Sequence, residues 1–296
     1  MNYAIVDIGS NTIRLIIFEI YKNQERNIFD KKYTAGLISY VENGALSTKG
    51  IKKLIRTLES IKRIVDLIGN CSFNPFATAS LRNLSNRDEV LREVKEKLDI
   101  DIDVLSQKEE ALMGNVGIFE DFNIDNGLTI DIGGASTEIV SFKKNKASEF
   151  LNLQIGSLLL FSQYVSVVIP KKKEIDLIQK KVLKEISSKN FKNTYNTLIG
   201  IGGTVRACGK VISELYGKDE KCFSLNELDN LLLNIKNKDK ETIRTIIKVN
   251  PSRIHTLVPG LIILFTVCKY LHIEDIQVSN KGVREGYLHL RVLEGN

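Results

Sequence analysis

One stretch of this sequence occurs twice. Near the start it reads Ala4-Ile5-Val6-Asp7-Ile8-Gly9-Ser10-Asn11-Thr12-Ile13-Arg14-Leu15-Ile16-Ile17, and later Leu128-Thr129-Ile130-Asp131-Ile132-Gly133-Gly134-Ala135-Ser136-Thr137-Glu138-Ile139-Val140. Each copy is an apolar, β-branched run, an Asp-Ile-Gly turn carrying small polar residues, and a second β run. That is the pattern of a β-hairpin. A unit that recurs within one chain implies two similar domains, and 296 residues suit two domains of roughly 150 residues each.

The segments between the copies alternate helix and strand patterns, so the class is α/β. Apolar residues at helical spacing follow Ser47, from Ile51 and Leu54 to Ile64 and Val65, and predict a helix over 47–68. A short buried strand is read at 74–79, a helix at 86–97, a strand at 101–105 and a helix at 107–119. The polar stretch 120–126 reads as a linker. It sets the domains at 1–122 and 123–296. Beyond it the patterns predict strands at 149–154, 197–201 and 276–279. Helices are read at 158–164, 173–189, 205–215, 224–235, 238–248, 259–271 and 282–292, the last of them free to pack back on the first domain.

Composition narrows the classes. Hydrophobic residues at 43% and charged residues at 26% exclude a disordered or collagen-like chain. The longest apolar run, 257–268, contains Pro259 and Gly260 and falls short of the about 20 residues of a membrane span. No basic leader precedes the first strand, so a cytoplasmic location is expected, with no membrane partner. Cys71, Cys208, Cys222 and Cys268 are scattered without a CxxC pair, which argues against zinc and disulfides. A net charge of +6 suits an anionic ligand. Without a nucleic-acid motif, nucleic acid is not an expected partner.

The repeated turns carry the chemistry. Gly9-Ser10-Asn11 between two strands exposes backbone N–H groups that suit phosphate oxygens, and Asp7 at the strand end is placed to hold Mg2+ or its water shell. A plain hairpin turn would use the same residue types. The second copy, with Gly133, Gly134, Ala135 and Ser136, repeats the arrangement. Asp131 and Glu138 flank one turn and are suited to a shared cation. Two facing loops on two domains would define a cleft between them. A third glycine turn, Gly200-Ile201-Gly202-Gly203-Thr204, joins a strand to a helix, whose N-terminus is an anion site. The lysines Lys171 to Lys173, Lys180 and Lys181 read as a solvated helix face, with a polyanion track as the alternative; Ile175, Ile178, Val182 and Ile186 form its core side.

Together these elements resemble the actin/hexokinase/Hsp70 superfold, in which two ribonuclease H-like domains flank an active-site cleft. Within it the chain is similar to the exopolyphosphatase/guanosine pentaphosphate phosphohydrolase (Ppx/GppA) family. The resemblance rests on residues 7–15 (DIGSNTIRL), 77–86 (ATASLRNLSN), 109–111 (EEA), 131–138 (DIGGASTE), Gly156-Ser157, the GIGGT turn, Arg253 with Pro259-Gly260, and residues 279–286 (SNKGVREG), in family order across nearly the whole chain.

The resemblance implies hydrolysis of a terminal phosphoanhydride with Mg2+ or Mn2+. Glu110 matches the family's catalytic glutamate, which orients or deprotonates the attacking water; Glu109 next to it cannot share its helix face. Asp131 and Glu138 match metal-linked or water-linked carboxylates, with Asp7 as a third expected metal residue. Arg82 matches a phosphate-binding arginine, and its guanidinium is built for bidentate contact. Gly9, Ser10, Asn11, Gly133, Gly134, Ala135, Ser136, Gly202, Gly203 and Thr204 are the expected phosphate contacts. Arg14 and Arg253 match positions suited to a longer anion or a guanosine nucleotide, with a structural ion pair as the alternative.

Two residues depart from the family pattern. Ala135 stands where a third glycine is usual, and strains the turn if that position needs positive φ. His255 stands where Asp is frequent, charged or neutral according to its surroundings. The chain also ends where longer members carry a further helical domain, so it resembles the short members. The leading expectation is an exopolyphosphatase acting on inorganic polyphosphate, closing its lobes on substrate. The alternatives are a guanosine pentaphosphate phosphohydrolase, a non-catalytic polyphosphate or nucleotide sensor, and a sugar or acetate kinase. A homodimer is compatible with this reading.

Overall fold

The computed structural model describes residues 1–22, 24–119, 122, 126–144, 146–192 and 195–295. The chain falls into two compact units, Met1–Glu110 with Gly286–Asn296, and Ala111–Glu285.

The first unit opens with the expected hairpin, β1 (Asn2–Ile8) and β2 (Thr12–Tyr21), paired antiparallel from Asn2↔Glu19 to Ile8↔Ile13. β3 (Gln24–Thr34) extends it antiparallel. The hydrophobic pattern does not announce β3: most of its side chains are exposed and charged residues run through it. It is an edge strand held by its ladder to β2 rather than by burial. After a 3-10 turn (Leu37–Tyr40) and a small hairpin of β4 (Val41–Glu42) and β5 (Ala45–Leu46) comes α1 (Thr48–Ile68). The apolar stripe read from the sequence is its buried face, Ile51, Leu54, Ile55, Leu58, Ile61 and Val65. β6 (Cys71–Ala77) lies parallel to β1 and is followed by the single turn α2 (Ala79–Arg82), α3 (Arg87–Leu98) and β7 (Asp103–Val104). The sheet order is β3-β2-β1-β6-β7.

α4 (Gln107–Phe119) carries the division between the units inside its first turns rather than in the polar segment 120–126, most of which lies outside the described residues. The physical reason is in its partners. Glu109 and Glu110 bond to Arg291 and Arg82 of the first unit. From Ala111 onward the helix packs in the second. Asn115 Oδ1 accepts a 3.0 Å hydrogen bond from Thr129, and Gly117 lies so close to the Gly282 backbone that a Cβ would sit 2.3 Å from its carbonyl oxygen.

The second unit repeats the plan. β8 (Asn126–Ile132), β9 (Thr137–Lys143) and β10 (Lys146–Leu153) are antiparallel. α5 (Ser157–Tyr164) and α6 (Lys172–Ser187) lead to β11 (Thr197–Ile201), parallel to β8. α7 (Gly202–Tyr216), β12 (Cys222–Ser224), α8 (Leu225–Lys236), α9 (Lys240–Val249) and α10 (Leu257–Tyr270) precede β13 (Asp275–Val278), and α11 (Val283–Tyr287) widens into a π-helical segment, Leu288–Leu293. The order is β10-β9-β8-β11-β13-β12, the order of the first sheet with one short strand added. α10 is buried along Leu257–Cys268. A helix apolar all round belongs in a core, which accounts for the longest apolar run. Ile175, Ile178, Val182 and Ile186 of α6 are its buried side. Among the described residues no helix is long and apolar enough to cross a membrane.

Candidate active site

Each unit locks its Asp-Ile-Gly turn in the same way. The Gly9 N–H donates to the Thr12 carbonyl at 3.0 Å, and the Gly133 N–H to the Ser136 carbonyl at 2.9 Å. A Cβ on Gly9 would lie 2.9 Å from that same Thr12 oxygen, closer than side chains come to backbone, and one on Gly133 would lie a tight 3.1 Å from the Ser136 oxygen. A hydroxyl then braces each from below: Ser80 donates to the Ile8 carbonyl, and Thr204 Oγ1 to the Ile132 carbonyl at 2.9 Å. The sequence duplication is thus a duplication of hydrogen bonds.

The loop carbonyls are turned inward. Ser10 O accepts from the Ile38 amide at 3.1 Å, and Asn11 O from Gly36 at 2.8 Å. In the second unit Gly133 O accepts from the Ser157 amide at 2.9 Å, and Gly134 O from those of Leu158 and Leu159 at 3.0 and 2.9 Å. A trans peptide points its N–H opposite to its C=O. The Gly134 and Ala135 N–H groups therefore face away from α5, on the side where an anion would be received. Ala135 is not among the residues with positive φ, so its methyl group brings no backbone strain.

In the first unit Arg82 Nη1 donates to Glu110 Oε2 at 2.7 Å and to the Leu105 carbonyl at 3.0 Å. Both side chains are only 12% exposed. Arg82 Nε and Nη2 are buried without a hydrogen-bond partner. Glu109 turns the other way, to the Ser106 amide at 2.9 Å and to Arg291; those Ser106 bonds hold its carboxyl below the usual carboxylate range. The two adjacent glutamates do occupy different faces. Asp7 pairs in register with Arg14 across the hairpin. The Arg14 guanidinium is engaged by Asp30, Nε to Oδ1 at 2.7 Å and Nη2 to Oδ2, which is the structural ion pair named above as the alternative.

In the second unit Asp131 and Glu138 are register partners on β8 and β9, so their side chains share one face of the sheet. Glu138 is buried and accepts from Asn152 at 2.7 Å. Asp131 rests on Gly202, where φ is +79° and a Cβ would sit 2.4 Å from Oδ1. Desolvation pushes the Asp131 carboxyl up, opposed by the positive charges of Arg206, Arg284 and Arg253. The Arg253 guanidinium covers Gly203, 2.1 Å from where a Cβ would be. Arg206 is anchored on the Ser279 carbonyl at 2.8 Å. Arg206 and Arg284 were not singled out from the sequence. Their only signal is position, beside the GIGGT turn and inside the 279–286 segment. His255 packs edge-on against Phe161 at 5.4 Å, and burial and Arg253 lower its pKa, favouring the neutral ring.

Among the described residues no group of three His, Cys, Asp or Glu side chains is arranged to hold a metal. The donor set that does come together, the Asp131 and Glu138 carboxylates, fits Mg2+, which binds through one or two carboxylates and keeps the rest of its shell for water and phosphate oxygens. Asp7 belongs to the other unit, beside Arg14.

A model of the Ppx/GppA phosphatase family matches residues 17–294. The chain belongs to that family. Among its curated relatives, a bifunctional 3-dehydroquinate synthase/phosphatase of Fusobacterium nucleatum is 28% identical over 99% of this chain and 46% of its own length. A guanosine-5'-triphosphate,3'-diphosphate pyrophosphatase of Pseudoalteromonas atlantica is 26% identical over 97% of this chain and 58% of its own. This Ppx/GppA chain spans about half the length of those two relatives. Exopolyphosphatase 1 of Mycobacterium leprae is 20% identical over 99% of this chain and 90% of its own. Crystal structures of the Aquifex aeolicus family member (TM-score 0.81, 24% identity, 100% and 99% of the two chains) and of an exopolyphosphatase from Cytophaga hutchinsonii (0.82, 20%, 100% and 98%) share the fold. The α/β, actin-like fold expected from the sequence is therefore the fold of this Ppx/GppA chain.

Proposed function

We propose that the protein is an exopolyphosphatase that hydrolyses the terminal phosphoanhydride of inorganic polyphosphate and releases orthophosphate. One observation carries the reading: Arg82 spends a single nitrogen on Glu110 and the Leu105 carbonyl and keeps two buried donors without a partner. A buried, charged donor left unsatisfied is costly. A guanidinium in that state is prepared for phosphoryl oxygens, which accept such donors two at a time.

Glu110, held ready by the ion pair, takes or directs the proton of the attacking water. Arg82 meets the charge that builds on the phosphoryl oxygens, and the amides of the Gly9–Asn11 loop in the same unit add fixed dipoles of the same sign. Asp131 and Glu138 would hold Mg2+, or Mn2+, which when bound supplies further neutralisation of phosphate charge. Arg206, Arg253 and Arg284 keep positive charge beside Asp131.

Hydrolysis of guanosine pentaphosphate is the second reading. It is favoured by the higher identity to the Pseudoalteromonas relative than to the mycobacterial exopolyphosphatase. Orthophosphate release from long-chain polyphosphate and from guanosine pentaphosphate, with and without Mg2+, separates the two. Release from polyphosphate that collapses in Glu110→Gln supports the first reading. Release from the nucleotide alone replaces it with the second. Release from neither substrate overturns both.

A further inference from the structure

The loop between α5 and α6, Lys238 and the first turns of α9 line an open cavity of about 470 Å³. None of its residues belongs to the candidate active site. Val167, Ile169, Pro170 and Ile243 form aliphatic walls, and Lys171, Lys238, Lys240 and Arg244 ring the mouth. Val167 is 53% exposed, and Ile247, one turn beyond Ile243, is 44% exposed. Two faces meet that would each gain by being covered.

The charged residues of the lining are all cationic. Among the described residues no carboxylate lines this cavity. Asp239, Glu174 and Glu241 lie nearby in sequence but outside the lining: Asp239 caps α9, accepting from the Thr242 amide at 2.8 Å, and Glu174 closes the start of α6, accepting from the Lys171 and Ser166 amides at 2.8 and 3.1 Å. Lys240 and Arg244 stand one turn apart on the same helix face, so their charges add at one edge of an aliphatic surface.

We propose that this cavity binds a small anionic amphiphile, a phosphate or carboxylate head on a saturated aliphatic chain. Its volume lies within the range of about 300–1,000 Å³ of ordinary ligand sites. Among the described residues its walls carry no aromatic ring, which disfavours a nucleobase. Inorganic polyphosphate is hydrophilic along its whole length and would leave the aliphatic walls unused. An amphiphile buries its chain against Ile243, Ile169 and Val167 and leaves its head among the lysines and Arg244. The site is independent of the reaction proposed above.

Titration calorimetry of the whole chain with octyl phosphate, below its micellar concentration, tests this. Saturable one-to-one binding is expected, at least about tenfold tighter than inorganic phosphate, because a few buried methylenes supply that factor. The double substitution Lys240→Gln with Arg244→Gln weakens octyl phosphate by about tenfold. Val167→Ser, at an exposed position that leaves folding intact, weakens it by about threefold without changing inorganic phosphate. Equal affinity for the two phosphates would overturn the proposal. So would binding unmoved by both variants, or association with phosphatidylglycerol vesicles without saturable binding of monomeric octyl phosphate.

Discussion

Arg82 and Glu110 meet through one nitrogen and one oxygen, 2.7 Å apart, although 28 positions separate them in the chain. The pair is nearly buried, so each partner stabilises the charge of the other, and the remaining Arg82 donors are left for a ligand. On the function proposed above, Glu110→Gln removes the proton acceptor and keeps the shape. The kcat for orthophosphate release is expected to fall by about 10²–10³ with little change in KM, read by steady-state kinetics.

Arg82→Lys keeps a positive charge near Glu110 and loses the planar fork. KM for polyphosphate is expected to rise by about tenfold or more. Arg82→Ala takes from the buried Glu110 carboxylate its ion-pair partner, and chemical denaturation is expected to show a loss of about 3 kcal/mol. A stability unchanged in Arg82→Ala would mean that Glu110 is not held by this pair.

Gly202 and Ala135 make opposite predictions. Gly202 has φ +79° and a Cβ would collide with Asp131 Oδ1, so Gly202→Ala is expected to cost about 1–3 kcal/mol and to displace the Asp131 carboxylate. Ala135 needs no positive φ. Ala135→Gly restores the family's usual residue and is expected to lose only about 0.5 kcal/mol through a more flexible unfolded chain. Paired denaturation curves decide both.

The C-terminal segment holds the start of α4. Tyr287 stacks on Phe76 at 4.6 Å, His289 meets Glu25 at 2.7 Å, and Arg291 bonds to Glu109, the residue before Glu110. The Arg291 pair is partly exposed, so Arg291→Met is expected to cost only about 0.5–1 kcal/mol. Thermal unfolding should move by about 2 °C, together with a measurable fall in kcat.

His255 adds a pH dependence. Burial and the neighbouring Arg253 hold its pKa below the ordinary 6.5. As pH falls, the unfolded chain takes up that proton before the folded one does. The contribution is complete above pH 6.5 and declines below it until the folded-state pKa is passed. Denaturation midpoints followed downward from neutral pH should fall less steeply in His255→Gln than in the natural chain.

Local pattern was enough where the signal is periodic and buried. The hairpin repeat, the α1 and α6 stripes and the apolar α10 are all legible because burial leaves its period in the residues. β3 was not legible, because an exposed edge strand is specified by its neighbour's hydrogen bonds and not by its own side chains. The domain boundary was also misplaced by composition. A polar stretch looks like a linker, but Glu110 and Ala111, adjacent on one helix, are drawn to different units by Arg82 on one side and the Gly117–Gly282 packing on the other.

The sequence by itself determined the α/β class, the repeated hairpin and the glycine turns. Strand and helix patterns are local, and a duplicated motif duplicates its turn chemistry. Only the tertiary structure decided which charges meet. Arg14 is taken by Asp30 and Arg82 by Glu110, and Asp131 lies in the positive field of Arg206, Arg284 and Arg253. Those pairings follow from strand register and helix placement, which bring together residues far apart in the chain, and no spacing along the sequence encodes the distance between two side chains on different elements.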